Sequence, residues 1–206
     1  MIAHTILCAQ ASGLFERVYV STDSPEIADV AREYGALIPH MLPAPLAAPD
    51  QASMGACVYL LEKLGQDGLG GWDFLFCLQP TSPLRSPQDI KAVMQAMETG
   101  DFEHVISCTP IDPHYHHWAM EEEKGFLKPV FGPEYQVDRI YLPQALRPNG
   151  AVKAMRTELA GKHETFFDSQ KVGFTLMEEE RSVHVAFELD FLLAEILLEK
   201  ANKGVG

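Results

Sequence analysis

With 206 residues, 47% of them hydrophobic, the chain can bury about 70% of its unfolded surface, enough for one full-sized core. Its 29 acidic and 16 basic side chains leave a formal charge of -13, which repels a polyphosphate backbone and excludes nucleic acid as a general partner. A local cluster of arginines can still bind a small anion at contact distance. Cys8, Cys57, Cys77 and Cys108 are widely spaced without a CxxC pair, and read as buried thiols of a reducing compartment. No apolar run reaches the roughly 18 residues that cross a bilayer, and the opening MIAHTILCAQASG has no basic region before its apolar stretch. The expectation is a cytoplasmic protein without a membrane partner.

In chain order, Ile2, Ile6, Leu7, Ala9 and Ala11 have helical spacing, closed by Gly13. The run RVYVST, Arg17 to Thr22, reads as a short strand; it stops at Asp23-Ser24-Pro25, where Ser24 caps a helix with Pro25 at its first position. That helix ends at Gly35, ALIPH reads as a second strand, and the proline-rich MLPAPLAAPDQAS follows as a long loop. Met54 to Leu64 is a helical stretch, and the run from Asp73 to Gln79 is apolar enough for a strand buried on both faces. PTSPLRSPQDI then turns the chain, Ser86 capping a helix from Pro87 through Met97, before the strand HVISCTP. Such alternation implies an α/β fold, a doubly wound and mostly parallel sheet, with ligands at the carboxyl ends of its strands. VSTDS and LQPTSPLR sit at such ends.

Residues 111–148 are less regular, with five prolines at 113, 129, 133, 143 and 148, and are expected to form an excursion from a single domain over 1–206. GAVKAMRTELAG reads as strand or helix, KVGFTLM as a strand, and Phe187 to Lys200 as an amphipathic final helix. From the residues alone, the reading stops at a doubly wound α/β protein with an anion site at its strand ends.

Five segments in order, VYVSTDSPEIADVAREYGA, LAAPDQAS, LQPTSPLR, LPQALRPNGA and SVHVAFELDFLLAE, resemble the CMP-sialic acid synthetase family, the acylneuraminate cytidylyltransferases. The resemblance spans nearly the whole chain. It implies a fold of the nucleotide-diphospho-sugar transferase type, with 111–148 as a small dimerisation lobe of a homodimer. It also implies that the anomeric hydroxyl of an acidic nine-carbon sugar attacks the α-phosphorus of CTP, with Mg²⁺ neutralising charge as pyrophosphate leaves.

Residue by residue, Gln79, Arg139, Arg147 and Asn149 resemble the family's contacts to the acidic sugar; arginine suits a carboxylate because its planar fork bonds bidentately. The plainer alternatives are surface charges for the arginines, a tight Asn149-Gly150 turn, and a backbone-capping Gln79. Ser53, Leu78 and Asp23 match positions near the nucleotide, although an Asp before Ser-Pro is also an ordinary turn residue. Thr81, Ser82 and Arg85 are expected to shape the loop. Phe166 and Phe167 resemble an aromatic pair that reaches a neighbouring subunit's sugar site; core packing is the alternative.

Several family features differ. Members carry a strand and a loop with Arg, Gly-Ser-Lys and a second Lys ahead of the first helix, whereas this sequence opens at the helix, so the expectation is an upstream start or a compensating segment. Two aspartates that face Mg²⁺ are replaced by His184 and Ala186 in SVHVAFELDF; Ala186 has no ligand atom and a neutral imidazole prefers softer ions. His184 is a candidate ligand there, against a packed or hydrogen-bonded strand histidine; Glu188 and Asp190 are nearby acids, of which Asp190 is expected in the final helix. His117 stands in place of a lysine, and Lys153 in place of a tyrosine, which puts the sugar specificity in question. His114, His116 and His117 suggest a metal site if 114 and 116 share a strand face, but substrate contact or packing explains them more simply. The expected activity is a cytidylyltransferase for a sialic or legionaminic type acid; the alternative is a catalytically silent dimeric relative that binds acidic sugar or nucleotide.

Overall fold

The computed structural model describes residues 1–48, 51 and 53–202, apart from the side chains of 113, 114, 135, 139 and 202. Residues 49, 50 and 52 of the LAAPDQAS motif, and the side chains of His114 and Arg139, therefore lie outside the described residues. A four-stranded sheet carries the fold in the order β1-β5-β2-β6, from β1 (Phe74–Cys77), β2 (His104–Ile111), β5 (Ala145–Arg156) and β6 (Val172–Leu176). β2 and β6 pair parallel, and β5 runs antiparallel to both β1 and β2, so β1, β2 and β6 share one direction. The sheet is thus mostly parallel in strand direction but mixed, because β5 inserts against the grain.

Side chains of successive strand residues leave opposite faces of a sheet. Phe74, Phe76, Val105, Val152 and Ala154 face one layer, where α4 (Pro87–Thr99) contributes Ile90, Val93 and Met97 and α1 (Ile2–Ser12) contributes Cys8. Leu75, Cys77, Ile106 and Met155 face the other layer, against Met54, Cys57 and Val58 of α3 (Ser53–Gln66) and against Phe166. Both faces are covered, which is the doubly wound arrangement that the alternation implied.

The helix signals act as expected. Gly13 closes α1 at φ 67°, and the Ser24 hydroxyl accepts from Ile27 N–H at the start of α2 (Pro25–Glu33). Ser86 forms a full capping box: its hydroxyl accepts from the N–H of Asp89, whose carboxylate accepts from the Ser86 N–H at 2.8 Å and the Ser86 hydroxyl at 2.7 Å. Ser86→Ala is expected to destabilise the protein by about 1.5 kcal/mol, lowering Tm by about 3–6 °C in a thermal melt.

Three expectations change. The two strands proposed at 17–22 and 36–40 shrink to one isolated parallel bridge, Tyr19 with Leu37. GAVKAMR is strand, and TEL after it is a single 3₁₀ turn, Thr157–Leu159. The histidine segment is a short helix, α5 (Pro113–His117), so alternate residues do not share a face there; His116 instead stacks on Phe131 with centroids 4.0 Å apart. Proline at the first helical position favours the helix by fixing φ.

Of residues 111–148, expected to leave the sheet, Ile111 and 145–148 are paired strand residues of β2 and β5, and the stretch between them is built from α5, a two-stranded ribbon of β3 (Met120–Glu123) and β4 (Phe126–Pro129), and 3₁₀ turns. Phe126, Leu127, Ile140 and Tyr141 are each more than 70% exposed, an apolar surface within one chain. The final helix, α6 (Glu188–Asn202), forms as expected, with Asp190 in its first turn. Its apolar residues are not gathered against the core: Ala194 is buried, while Leu189 and Ile196 are exposed.

Candidate functional site

The site grows from a register change in the sheet. Ile106 of β2 pairs with Lys153 of β5, but Cys108 pairs with Pro148, so residues 149–152 bulge opposite Ser107 alone. The Ser107 hydroxyl replaces the missing ladder. It accepts from Val152 N–H at 2.8 Å and lies 2.6 Å from Asn149 Oδ1, to which it donates. Asn149 is 2% exposed, and its Oδ1 also accepts from Ala151 N–H at 3.1 Å while its Nδ2 donates to Ser182 Oγ at 2.9 Å. The amide is therefore committed to the protein, holding the bulge to the loop that follows β6.

The bulge turns at Gly150, whose φ of 73° suits glycine. A β-carbon there would stand 2.5 Å from Gln79 Oε1 and 3.3 Å from His184 Nδ1, so Gly150 lets those two side chains converge over the backbone. Gln79 leaves the end of β1, as expected. Its loop is fixed from beneath by buried Arg85, which donates to the carbonyls of Gln79 at 3.2 Å and Ala151 at 2.6 Å. Ser82 Oγ donates to Asn149 O at 3.3 Å, so LQPTSPLR and RPNGA are joined directly.

His184 arrives from the segment after β6. Val185 N–H donates to Thr81 O at 2.7 Å, and Thr81 Oγ1 lies 3.3 Å from His184 Nδ1. That segment is anchored by Arg181, which donates from Nε and Nη2 to the two oxygens of buried Asp89, each at 3.1 Å. The Asp89 hydrogen bond raises the Arg181 pKa further, consistent with a permanently charged clamp. Exposed Arg147 lies beside it, with Nη2 donating to Ser182 O at 3.3 Å.

The other expected residues are spread more widely, the Phe166 ring standing 6.2 Å, centroid to centroid, from His104 at the start of β2. Cys77, one residue before Leu78 on β1, has its thiol pKa lowered to about 7, chiefly by a hydrogen bond from Cys57, with Lys153 and the Ser53 hydroxyl also favouring the thiolate. Ser53 and Lys153 thus meet at the end of β1. Asp23 is exposed in the turn before α2. Of the aromatic pair, Phe166 is 2% exposed and packed in the core, whereas Phe167 is 49% exposed.

The donor set does not suit Mg²⁺. His184, Thr81 and Gln79 offer an imidazole and neutral oxygens, whereas Mg²⁺ favours carboxylates in octahedral geometry. Asp190 does not substitute, because its Oδ2 accepts from the N–H groups of Ala186 at 3.0 Å and Phe187 at 2.9 Å. Those bonds, that from Phe187 first, hold its pKa below the usual carboxylate range.

Sequence reasoning missed Ser107, Asp89, Arg181 and Ser182. A serine inside the apolar run HVISC and the S-x-x-D spacing at Ser86 were the available signals; the Arg181–Asp89 pair, separated by 92 residues, left none.

A cytidylyltransferase family model matches residues 1–122. A CMP-N,N'-diacetyllegionaminic acid synthase of Legionella pneumophila is 29% identical over 204 residues, covering 97% of this chain and 85% of that protein. An N-acylneuraminate cytidylyltransferase of Streptococcus agalactiae is 28% identical over 213 residues, and this chain spans half of its length, the match covering 98% of the chain and 50% of the relative. In solved structures, a CMP:2-keto-3-deoxy-manno-octonic acid synthetase complexed with CTP superposes with a TM-score of 0.65 at 13% identity, over 98% of this chain and 88% of that one, a likeness of fold. The chain belongs to the cytidylyltransferase family and is a nucleotidyltransferase, as the five ordered motifs imply.

Proposed function

We propose that the protein transfers CMP from CTP to a nonulosonic acid of the sialic or legionaminic type and releases pyrophosphate. The observation that carries this reading is the convergence of Gln79, Gly150 and His184 where LQPTSPLR, RPNGA and SVHV meet, with Arg147 bonded to Ser182 two residues before His184. The relatives' names supply the substrate class.

In this proposal Arg147 and Arg139 engage the sugar carboxylate, Gln79 orients the sugar, and Ser53, Leu78 and Asp23 face the nucleotide. Asn149 acts by shaping the turn that presents Gly150. The sugar's anomeric hydroxyl gives up its proton to solvent as its oxygen forms the new bond to the α-phosphorus; the bond to the bridging oxygen breaks, and pyrophosphate departs with that electron pair. The exposed apolar rings of 111–148, with Phe167, are proposed to form the contact of a homodimer.

Calorimetry tests the site directly. Acidic sugar and CMP are each expected to bind, the sugar requiring its carboxylate. Failure of both to bind would remove the proposal; binding of both without CTP turnover would reassign the protein as a silent binding module.

A further inference from the structure

A second cluster lies at the start of β2. His104 is the first residue of β2, fully buried, three residues and about 10 Å along the strand from Ser107. His104 Nε2 stands 3.3 Å from Nδ1 of His163, on the loop before Phe166. Glu103 completes the group, one ligand atom from each residue lying within 4.8 Å of the others. None of these side chains belongs to the site described above.

We infer that Glu103, His104 and His163 form a binding site for a borderline-soft divalent transition ion of the Zn²⁺ class. Two ligands bound to one ion at about 2.05 Å with tetrahedral angles stand about 3.3 Å apart, which is the separation of the two ring nitrogens. Two imidazoles and a carboxylate are the ligand types that such an ion selects over Mg²⁺ or Ca²⁺. The carboxylate is oriented from outside: Ser169 Oγ donates to Glu103 Oε2 at 2.6 Å. Of the nearby cations, Lys171 is turned to Asp101 at 2.8 Å and Arg156 donates from Nε to Phe102 O at 3.1 Å, and the Asp168 carboxylate adds negative charge near His104.

The alternative is a plain imidazole–imidazole hydrogen bond between His104 and His163, which the metal titration below distinguishes. His163 is half-buried on a surface loop, which gives an ion a route in.

The test uses the full chain after chelator treatment, titrated with ZnCl₂ by calorimetry and with CoCl₂ by visible absorption. One ion per chain at this site, intense tetrahedral Co²⁺ bands and a raised Tm are expected. His163→Ala and Glu103→Gln, both at positions that leave the core intact, are each expected to weaken binding by about tenfold or more while His116→Ala leaves it unchanged. Absence of binding, or an affinity that neither His163→Ala nor Glu103→Gln alters, overturns the inference.

Discussion

Asn149→Ala is expected to destabilise the protein by about 3 kcal/mol, the sum of several buried polar groups losing partners at once. Truncation removes the acceptor of Ser107 Oγ and Ala151 N–H and the donor to Ser182 Oγ, all inside a group that is 2% exposed. Ser107 can redirect its proton to Val152 O, 3.1 Å away, but Ala151 N–H keeps no substitute. For a chain of this size the loss corresponds to a Tm lower by about 6–12 °C. Ser107→Ala removes the other half of the same bridge, so a double-mutant cycle is expected to show coupling of about 1 kcal/mol or more. Urea melts measure both. A cost for Asn149→Ala within the range of an ordinary surface change would show that the amide does not hold the bulge.

Arg147→Ala is expected to raise the KM for the acidic sugar by about 10–100-fold, the value of a charge-assisted hydrogen bond to a carboxylate, and to leave the KM for CTP unchanged. The side chain spends one nitrogen on Ser182 O at 3.3 Å, and Ser182 stands two residues before His184. Arg147→Lys is expected to recover little, because an ammonium cannot span two carboxylate oxygens in one plane. Steady-state kinetics with each substrate varied in turn separates the outcomes. An equal rise in both KM values would mean that Arg147 supports the fold of the site and does not read the sugar.

Local chemistry made much of the fold legible. Ser24-Pro25 and Ser86-Pro87 specify helix starts because hydroxyl and proline act within one turn, and Gly13 specifies an end because few other residues accept its φ of 67°. The apolar run before LQPTSPLR predicts β1 because a strand covered on both faces has no polar side. Direction is another matter. Nothing in GAVKAMR announces that β5 runs against its neighbours, since pairing sense depends on how the 111–148 excursion returns the chain. RVYVST and ALIPH carry strand composition yet meet in only one bridge, because composition does not supply a partner edge.

The site was legible as motifs but not as a mechanism. Gln79, Arg147 and His184 were named from the sequence and share one neighbourhood, whereas Asn149 turned out to be enclosed by groups contributed from β2 and from the loop after β6. Such enclosure is a product of topology. The Glu103, His104 and His163 cluster shows the same limit, because the two histidines are 59 residues apart and lie in no recognisable spacing.

The most direct measurement of the central claim is phosphorus NMR of the protein with CTP, a divalent cation and a panel of nonulosonic acids. With at least one sugar the CTP resonances are expected to decay while pyrophosphate and a new CMP-sugar phosphodiester grow in equal amounts. CTP left intact with every sugar, under conditions where calorimetry shows both ligands bound, would contradict it.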